Sequence, residues 1–495
     1  MLIFLSLILL VLAYPPFNLG ILILFAFIPL FISLFYAKDF KSTLGQALFF
    51  AFAFHLYSSW PILVLNKYVG FWPTLAWIGF SLYGALFFLL PSGAVYFLKD
   101  KPAGNFRKIS FILGLSSAWV MMEYFQSFGL LATTQDSLAY FLSDYPVLLQ
   151  SASFWGMYGI SFLIILANVL LALFMVEKNK GRWVWLGIFL LIWGGNAFWG
   201  AGQMAQKLPQ AQASYNLALI QGNIPQEKKL DYNLMIPNVE KHKLLTRQAK
   251  EKNKGIDLVI WPETAINAYL NRTPAVREYI FDFLQKEQIV LLTGASYYES
   301  NRAYNSIYLI NSQRQVLGRY DKENLVAFGE YLPFRSLLLG LFKDSGFFAM
   351  DYSSNPVPVV LRYKDLSIAP LICFESLFPD LVRKRVLMGA NFILTLTNDA
   401  WFVYPFAAQQ HARAGVLRAI ENRKFFAQAA NTGISFVADP YGRVLIKSIL
   451  NQESILMQKV YPLSGQTFYS KWGNFVVGLS FMFLLLAFFL RRFFT

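Results

Sequence analysis

Three polar residues in this chain of 495 each end a short apolar run: Glu263 after "DLVIWP", Lys322 after "QVLGRYD" and Cys373 after "APLI". A carboxylate, an ammonium and a thiol together suffice for acyl transfer. The carboxylate takes the thiol proton, the thiolate attacks a carbonyl carbon, and the cation holds the oxyanion that forms. If the runs are strands of one sheet, the side chains converge at its edge, where open α/β sheets collect reactive groups. Each residue also has a plainer reading. A Glu after Pro is commonly a turn residue, a Lys in "YDKEN" commonly a solvated charge, and a free Cys commonly buried filler. Cys373 is the single cysteine, so no intramolecular disulfide can form.

Other chemistries find less support. Three scattered His and one Cys offer no metal-ligand spacing, and no Gly-rich phosphate loop is present, so neither metal nor cofactor is expected. His411, in "QQHARAG", reads as a helix-surface or packing residue.

The elements that must position these residues lie between about 214 and 453. There "YNLALIQGN", "GIDLVIWPE", "QIVLLTGAS", "AYNSIYLIN", "LSIAPLICFE", "NFILTLTND" and "GISFVADPYG" read as strands. Amphipathic helices such as "YNLMIPNVEKHKLLTRQAKEKN" and "AVREYIFDFLQKE" alternate with them. Such alternation predicts a layered α/β sheet domain.

The remainder has a different character. Hydrophobic residues make up 56% of the chain and aromatics 18%, more than a soluble domain needs, and the excess is concentrated in long runs. Seven runs, 2–14, 19–36, 47–65, 73–98, 109–128, 154–176 and 183–199, are each near bilayer-crossing length, and an eighth covers 472–490. No basic segment precedes the first, so it reads as a retained span and not a signal peptide. The expected organisation is a membrane domain over 1–205, a catalytic domain over 214–455 and a terminal transmembrane helix over 472–490.

The net charge of +15 is largely topology. Lys38 and Lys41, Lys99 to Lys108, Lys178 to Arg182, and Arg491 with Arg492 fall after alternate runs, whereas the other loops hold little beyond Lys67. By the positive-inside rule both termini are cytoplasmic and the large domain lies outside the cytoplasm. Nucleic acid is not the expected partner. One further segment, "FRSLLLGLFKDSGFFAMDY", is too apolar for a solvated loop. It reads either as an arm resting on the bilayer, with Leu338 and Phe342 toward lipid, or as a buried core helix.

Taken in order, "WPETA", "YDKENLVAFGEYLPF", "CFESLFP" and "TNDAWF…QQHARAGVLRAIENRKFFAQAANTGISFVADPYG" closely resemble the apolipoprotein N-acyltransferases, membrane members of the nitrilase (carbon–nitrogen hydrolase) superfamily. The resemblance runs from "AYPPFNLGILILFAFIPLF" through "FWGMYGISFLI" to the terminal helix. It implies an αββα sandwich with Glu263 as general base, Lys322 as oxyanion holder and Cys373 as nucleophile, supported by Glu330 and Glu375. It further implies a membrane phospholipid as acyl donor and the N-terminal diacylglyceryl-cysteine of lipoproteins as acceptor, at the bacterial inner membrane with the catalytic domain in the periplasm. Oligomeric state stays open, a monomer being the simplest expectation.

The chain departs from the family pattern at Phe374, Ala327, Val403 and Gln126, where Tyr, Pro, Gly and Arg are usual, and the membrane segment lacks "GFPW". Glu123 remains, nearly alone among ionisable residues in the runs. Two rivals differ in kind: a membrane-tethered amidase using water as acyl acceptor, and a transporter whose external domain makes Cys373 structural. The amidase needs a polar pocket, and the transporter needs several ionisable residues deep among its helices.

Overall fold

In the strand Tyr215–Gln221 (β1), Leu217 and Leu219 point to one face and Ala218 and Ile220 to the other, and all four are buried. A strand apolar on both faces needs a layer on each side. The computed structural model describes residues 1–99, 105–208, 213–336, 340, 351–401 and 405–493. It divides into two compact units, one of Met1–Asn66, Gly70–Gln206 and Lys471–Thr495, the other of Lys67–Val69 and Lys207–Ser470.

The second unit supplies those layers. Its first sheet contains β1, β2 (Leu258–Ile260), β3 (Ile266–Tyr269), β4 (Leu291–Glu299), β5 (Arg302–Ile310), β6 (Val316–Asp321) and β13 (Ser454–Val460). The second contains β7 (Leu361–Tyr363), β8 (Leu366–Ile372), β9 (Phe392–Thr397), β10 (Phe425–Ala430), β11 (Phe436–Ala438) and β12 (Val444–Lys447). The strand orders among the described residues are β13-β1-β2-β4-β5-β6, with β3 against β4, and β12-β11-β10-β9-β8-β7. Parallel pairs occupy the centres, β1 with β2 and β2 with β4 in one sheet, β8 with β9 and β9 with β10 in the other.

Between the sheets, Leu217, Leu219 and Ile260 share a core with Ile368, Ile372 and Leu396. On the outer face of the first sheet, Ala218, Ile220 and Trp261 pack with Val239 of helix Met235–Lys252 and Leu284 of helix Pro274–Glu287. Helices Pro379–Leu387 and Pro405–Asn422 cover the second sheet. The result is the expected αββα sandwich. Each fully buried Leu or Ile contributes about 1.5–3 kcal/mol, so the shared core holds the sheets more firmly than any polar pair at their rim.

The first unit is helical. Three helices are long and apolar enough to cross a membrane, Trp72–Leu98, Ala152–Val176 and Arg182–Met204, and a fourth counts if Phe40–Ser58 and Trp60–Tyr68, bent by 48°, form one broken span. Runs 2–14, 19–36 and 472–490 yield the shorter apolar helices Leu2–Ala13, Gly20–Phe35 and Phe475–Phe489. Run 109–128 falls largely within helix Asn105–Gln126. Pro61 at the start of the bent segment accounts for one break, because proline cannot continue the preceding ladder. Gln126 ends helix Asn105–Gln126. The apolar arm with Leu338 and Phe342, and Val403, lie outside the described residues.

The acidic residues Glu123 and Asp136 inside this unit have partners. Glu123 accepts from Ser137 and Ser161 hydroxyls at 2.8 Å each, from the Leu138 amide at 3.0 Å and from Trp119 at 3.2 Å. It therefore ties helix Asn105–Gln126 to helix Ala152–Val176. Nor is it alone: Asp136 accepts from Tyr14 at 2.5 Å and Ser58 at 2.9 Å and lies 3.2 Å from His55. The sequence expectation missed this cluster because Asp136 falls between apolar runs while His55 lies within one.

Candidate active site

Glu263 stands just beyond β2, on a turn shaped by its neighbours. Trp261 is fully buried and donates to Thr246 at 2.9 Å, which anchors the strand end. Thr264 has φ +44°, a left-handed conformation costly for a β-branched residue. Beneath the turn lies Gly294 of β4, where a Cβ would come within 2.7 Å of the Glu263 Cα and 2.4 Å of the Thr264 nitrogen. Only glycine lets the turn sit so close to the sheet. The carboxylate accepts at both oxygens, from Asn305 Nδ2 at 2.7 Å and the Asn398 amide at 2.8 Å. Burial pushes its pKa up, the Lys322 charge pulls it back, and Glu330 adds to the rise. A carboxyl group raised in this way is a better proton acceptor than an exposed one.

Lys322 follows β6 and its amide donates to Asn305 of β5 at 2.9 Å. The side chain is 1% exposed, and its ammonium lies 2.7 Å from Glu330 Oε2. Burial disfavours the charge, but the carboxylates of Glu330 and Glu263 and the Cys373 thiolate outweigh it, and the pKa is raised. Lys322 is thus held as a cation in a buried position. Glu330 also accepts from the Val326 amide and from Asn305 Nδ2, both at 2.9 Å. Asn305 consequently bridges Glu263 and Glu330 with one amide nitrogen, fixing the two carboxylates relative to each other.

Cys373 begins the short 3-10 turn Cys373–Leu377 at the end of β8, with φ +54°. Non-glycine residues held left-handed at a strand end are commonly functional, because the strain must be sustained by the surroundings. The Cys373 thiol packs against the core shared by the two sheets. Burial raises its pKa, Glu263 raises it further, and Lys322 opposes both. The resting group is therefore a thiol that needs a base, and the candidate base and cation both act on it electrostatically.

Glu375 braces this arrangement. One oxygen accepts from Tyr320 and the Glu323 amide at 2.7 Å and from the Asn324 amide at 3.0 Å, and the other from the Ile372 amide at 2.7 Å. It links the residue before the thiol to the residues after Lys322, and so one sheet to the other. Arg385, fully buried, pairs with Glu323 at 2.5 Å and lies over the Tyr320 ring at 4.7 Å.

Sequence reasoning missed several neighbours. Asn305 and Asn398 were the strand-embedded and strand-ending asparagines of "AYNSIYLIN" and "NFILTLTND", the first readable as a polar misfit in an apolar strand. Lys229 donates to the Glu263 carbonyl at 2.8 Å and to Thr264 Oγ1 at 2.7 Å. His411 is buried, bonded to Asp399 at 2.7 Å, with Phe374 edge-on at 4.7 Å, so it is a packing residue and not a surface one. Ala327 forms a lone bridge with Tyr331 in the loop before Glu330. Among the described residues no cluster of His, Cys, Asp and Glu could hold a metal ion.

Residues 216–464 match the carbon–nitrogen hydrolase family, and residues 6–170 match the apolipoprotein N-acyltransferase N-terminal domain. The chain is 31% identical to the apolipoprotein N-acyltransferase of Geobacter metallireducens, over 84% of this chain and 80% of that one. It is 32% identical to that of Synechocystis sp., over 77% and 74%. Among solved structures it is similar to Saccharomyces cerevisiae Nit3 of the nitrilase superfamily, with a TM-score of 0.37 and 16% identity over 52% of this chain and 93% of that one. With a hydrolase domain, the family's own N-terminal domain and full-length relatives all in agreement, the chain belongs to the apolipoprotein N-acyltransferase family.

Proposed function

We propose that Cys373 carries an acyl chain from a membrane phospholipid to the α-amine of a diacylglyceryl-modified N-terminal cysteine. Glu263 takes the thiol proton as the sulfur attacks the ester carbonyl, and Lys322 stabilises the tetrahedral oxyanion. Collapse expels the glycerol oxygen, which receives the proton from Glu263 and leaves as lysophospholipid. The acceptor amine then attacks the thioester and Glu263 takes its proton. Thiolate departs and is reprotonated, leaving an amide on the lipoprotein. A thioester must be kept from water, and the buried site serves that end.

The observation that carries this reading is the single cysteine, left-handed at its strand end, with the Glu263 carboxylate and the Lys322 ammonium both acting on its charge. The match to the acyltransferase N-terminal domain favours acyl transfer over the amidase, for which no observation speaks. Intact-mass measurement of protein incubated with phospholipid tests it. An acyl-sized adduct is expected on wild type and absent from Cys373→Ala and Cys373→Ser, both folded. An adduct surviving in either overturns the thioester.

The same reading takes all eight apolar runs as membrane segments, with both termini cytoplasmic and the catalytic domain periplasmic. Two contacts support a common end for the basic loops: Lys99 donates to the Ala37 carbonyl at 2.7 Å, and Lys108 pairs with Glu177 at 2.6 Å. The apolar segment with Leu338 and Phe342 is proposed, from sequence, as the surface that admits lipid.

A further inference from the structure

Lys229 has no part in the reaction just described, yet it is the second buried ammonium beside Glu263. It lies on the short helix Gln226–Leu230, and of the neighbouring pair Lys228 is exposed while Lys229 is 6% exposed. A buried lysine is costly unless its hydrogens find acceptors. Two do: the Glu263 carbonyl at 2.8 Å and Thr264 Oγ1 at 2.7 Å. Asn267 donates to the Lys229 carbonyl at 2.7 Å, so the helix is tied to the segment on both sides of the turn. That turn is the strained one, with Thr264 left-handed over Gly294. The bonds go to the backbone and hydroxyl of the residues that aim the carboxylate, and none goes to the carboxylate.

We propose that Lys229 is a positioning residue for acyl loading: its ammonium clamps the Glu263–Thr264 turn so that the carboxylate stays directed at the thiol, and it gives the site a second positive charge. The inference rests on the reading of Glu263 as base and Cys373 as nucleophile. Two charged groups act on Lys229, Glu263 after β2 and Cys373 after β8, both favouring its protonation, and Lys229 in turn acts on His242 of helix Met235–Lys252. Burial keeps His242 neutral, its pKa pulled down to about 4, with Nδ1 against the Asn238 carbonyl at 2.8 Å. Burial also dominates at Lys229 and pulls its pKa to about 7 against those two charges. The protonated lysine is the clamp, so its contribution is present below that pH and lost above it.

The test is the rate of adduct formation on Cys373, read by intact mass with vesicles of phosphatidylethanolamine and phosphatidylglycerol, from pH 5 to 9. Wild-type loading should bend downward as Lys229 loses its proton. Lys229→Met should load at least about tenfold more slowly at low pH, as expected when a catalytic group is misplaced, and should lack the bend. Wild-type rate in Lys229→Met, or the same bend in both proteins, overturns the proposal. If Lys229→Met does not fold by circular dichroism, Thr264→Val decides, because it removes one acceptor and keeps the charge. Slower loading that keeps the bend supports the clamp, and wild-type loading overturns it. Cys373→Ala in the same assay keeps the two readings apart. An adduct there removes the nucleophile assignment, whereas an adduct lost there and unchanged in Lys229→Met removes only the clamp.

Discussion

A carboxyl and a thiol that are both raised, the carboxylate adding to the rise of the thiol, make the proton inventory of the site its main variable. In the proposed reaction Glu263 must be ionised to take the proton, and burial lifts its pKa above the ordinary 4.5. Activity needing the deprotonated form is present above that pKa and lost below it. The acid limb of acyl loading should therefore fall at higher pH than an exposed glutamate would give, and Glu263→Gln should abolish loading across the range. Loading at the normal rate in Glu263→Gln would remove its role as base. Lys322→Met takes away the cation and leaves the half-buried Glu330 without its ion pair. Loss of loading together with lower stability, by less than the ~3–5 kcal/mol of a broken fully buried pair, is expected in denaturant titration. The proposed triad was legible as three candidates because each member is the polar residue that ends an apolar run. Lys229 was not, because "QEKKL" looks like a solvated charge run and nothing in it says which lysine turns inward. The Asn398 contact was equally hidden, since a backbone amide leaves no mark on residue type.

Strand ends do the aiming. Glu263, Cys373 and Asn398 all follow strands of parallel pairs, and Lys322 follows the edge strand β6. Short runs such as β1 and β8, buried on both faces and separated by helical segments, made the sandwich readable, whereas helix breaks in the other unit were not, because apolar length says nothing of where a proline or a close neighbour interrupts the ladder. Run 19–36 illustrates this: a Cβ on Gly20 would come within 1.8 Å of the Phe141 carbonyl oxygen, so the chain starts there as a 3-10 turn with helix only from Ile28. The same close approach at Gly294 yields a prediction. Gly294→Ala places a methyl against backbone that cannot yield cheaply, so the Glu263 turn must move. Destabilisation of about 1–3 kcal/mol, typical of overpacking, should accompany slower acyl loading. Wild-type loading with wild-type stability would show that the turn tolerates the displacement and that its position is not critical.

Across the whole chain, the function depends on which side of the membrane each unit meets. The acceptor in the proposed reaction is a lipid-anchored N-terminus, so the thiol must be displayed where mature lipoproteins are. Charge is the only feature of the sequence that speaks to sidedness: Lys38, Lys99, Lys108 and Lys180 follow alternate runs, and the Lys108–Glu177 pair joins two of those loops. In a Cys373→Ala background, a cysteine placed at Lys180 should stay unlabelled by a membrane-impermeant thiol reagent added outside spheroplasts. One placed at Lys250, on helix Met235–Lys252 of the catalytic unit, should label without permeabilisation. The reverse pattern would put the catalytic unit in the cytoplasm and leave the proposed acceptor out of reach. Labelling at both positions would mean an even number of crossings between them, contrary to the single run 183–199 that separates them, and the count of eight spans would have to change before the sidedness did.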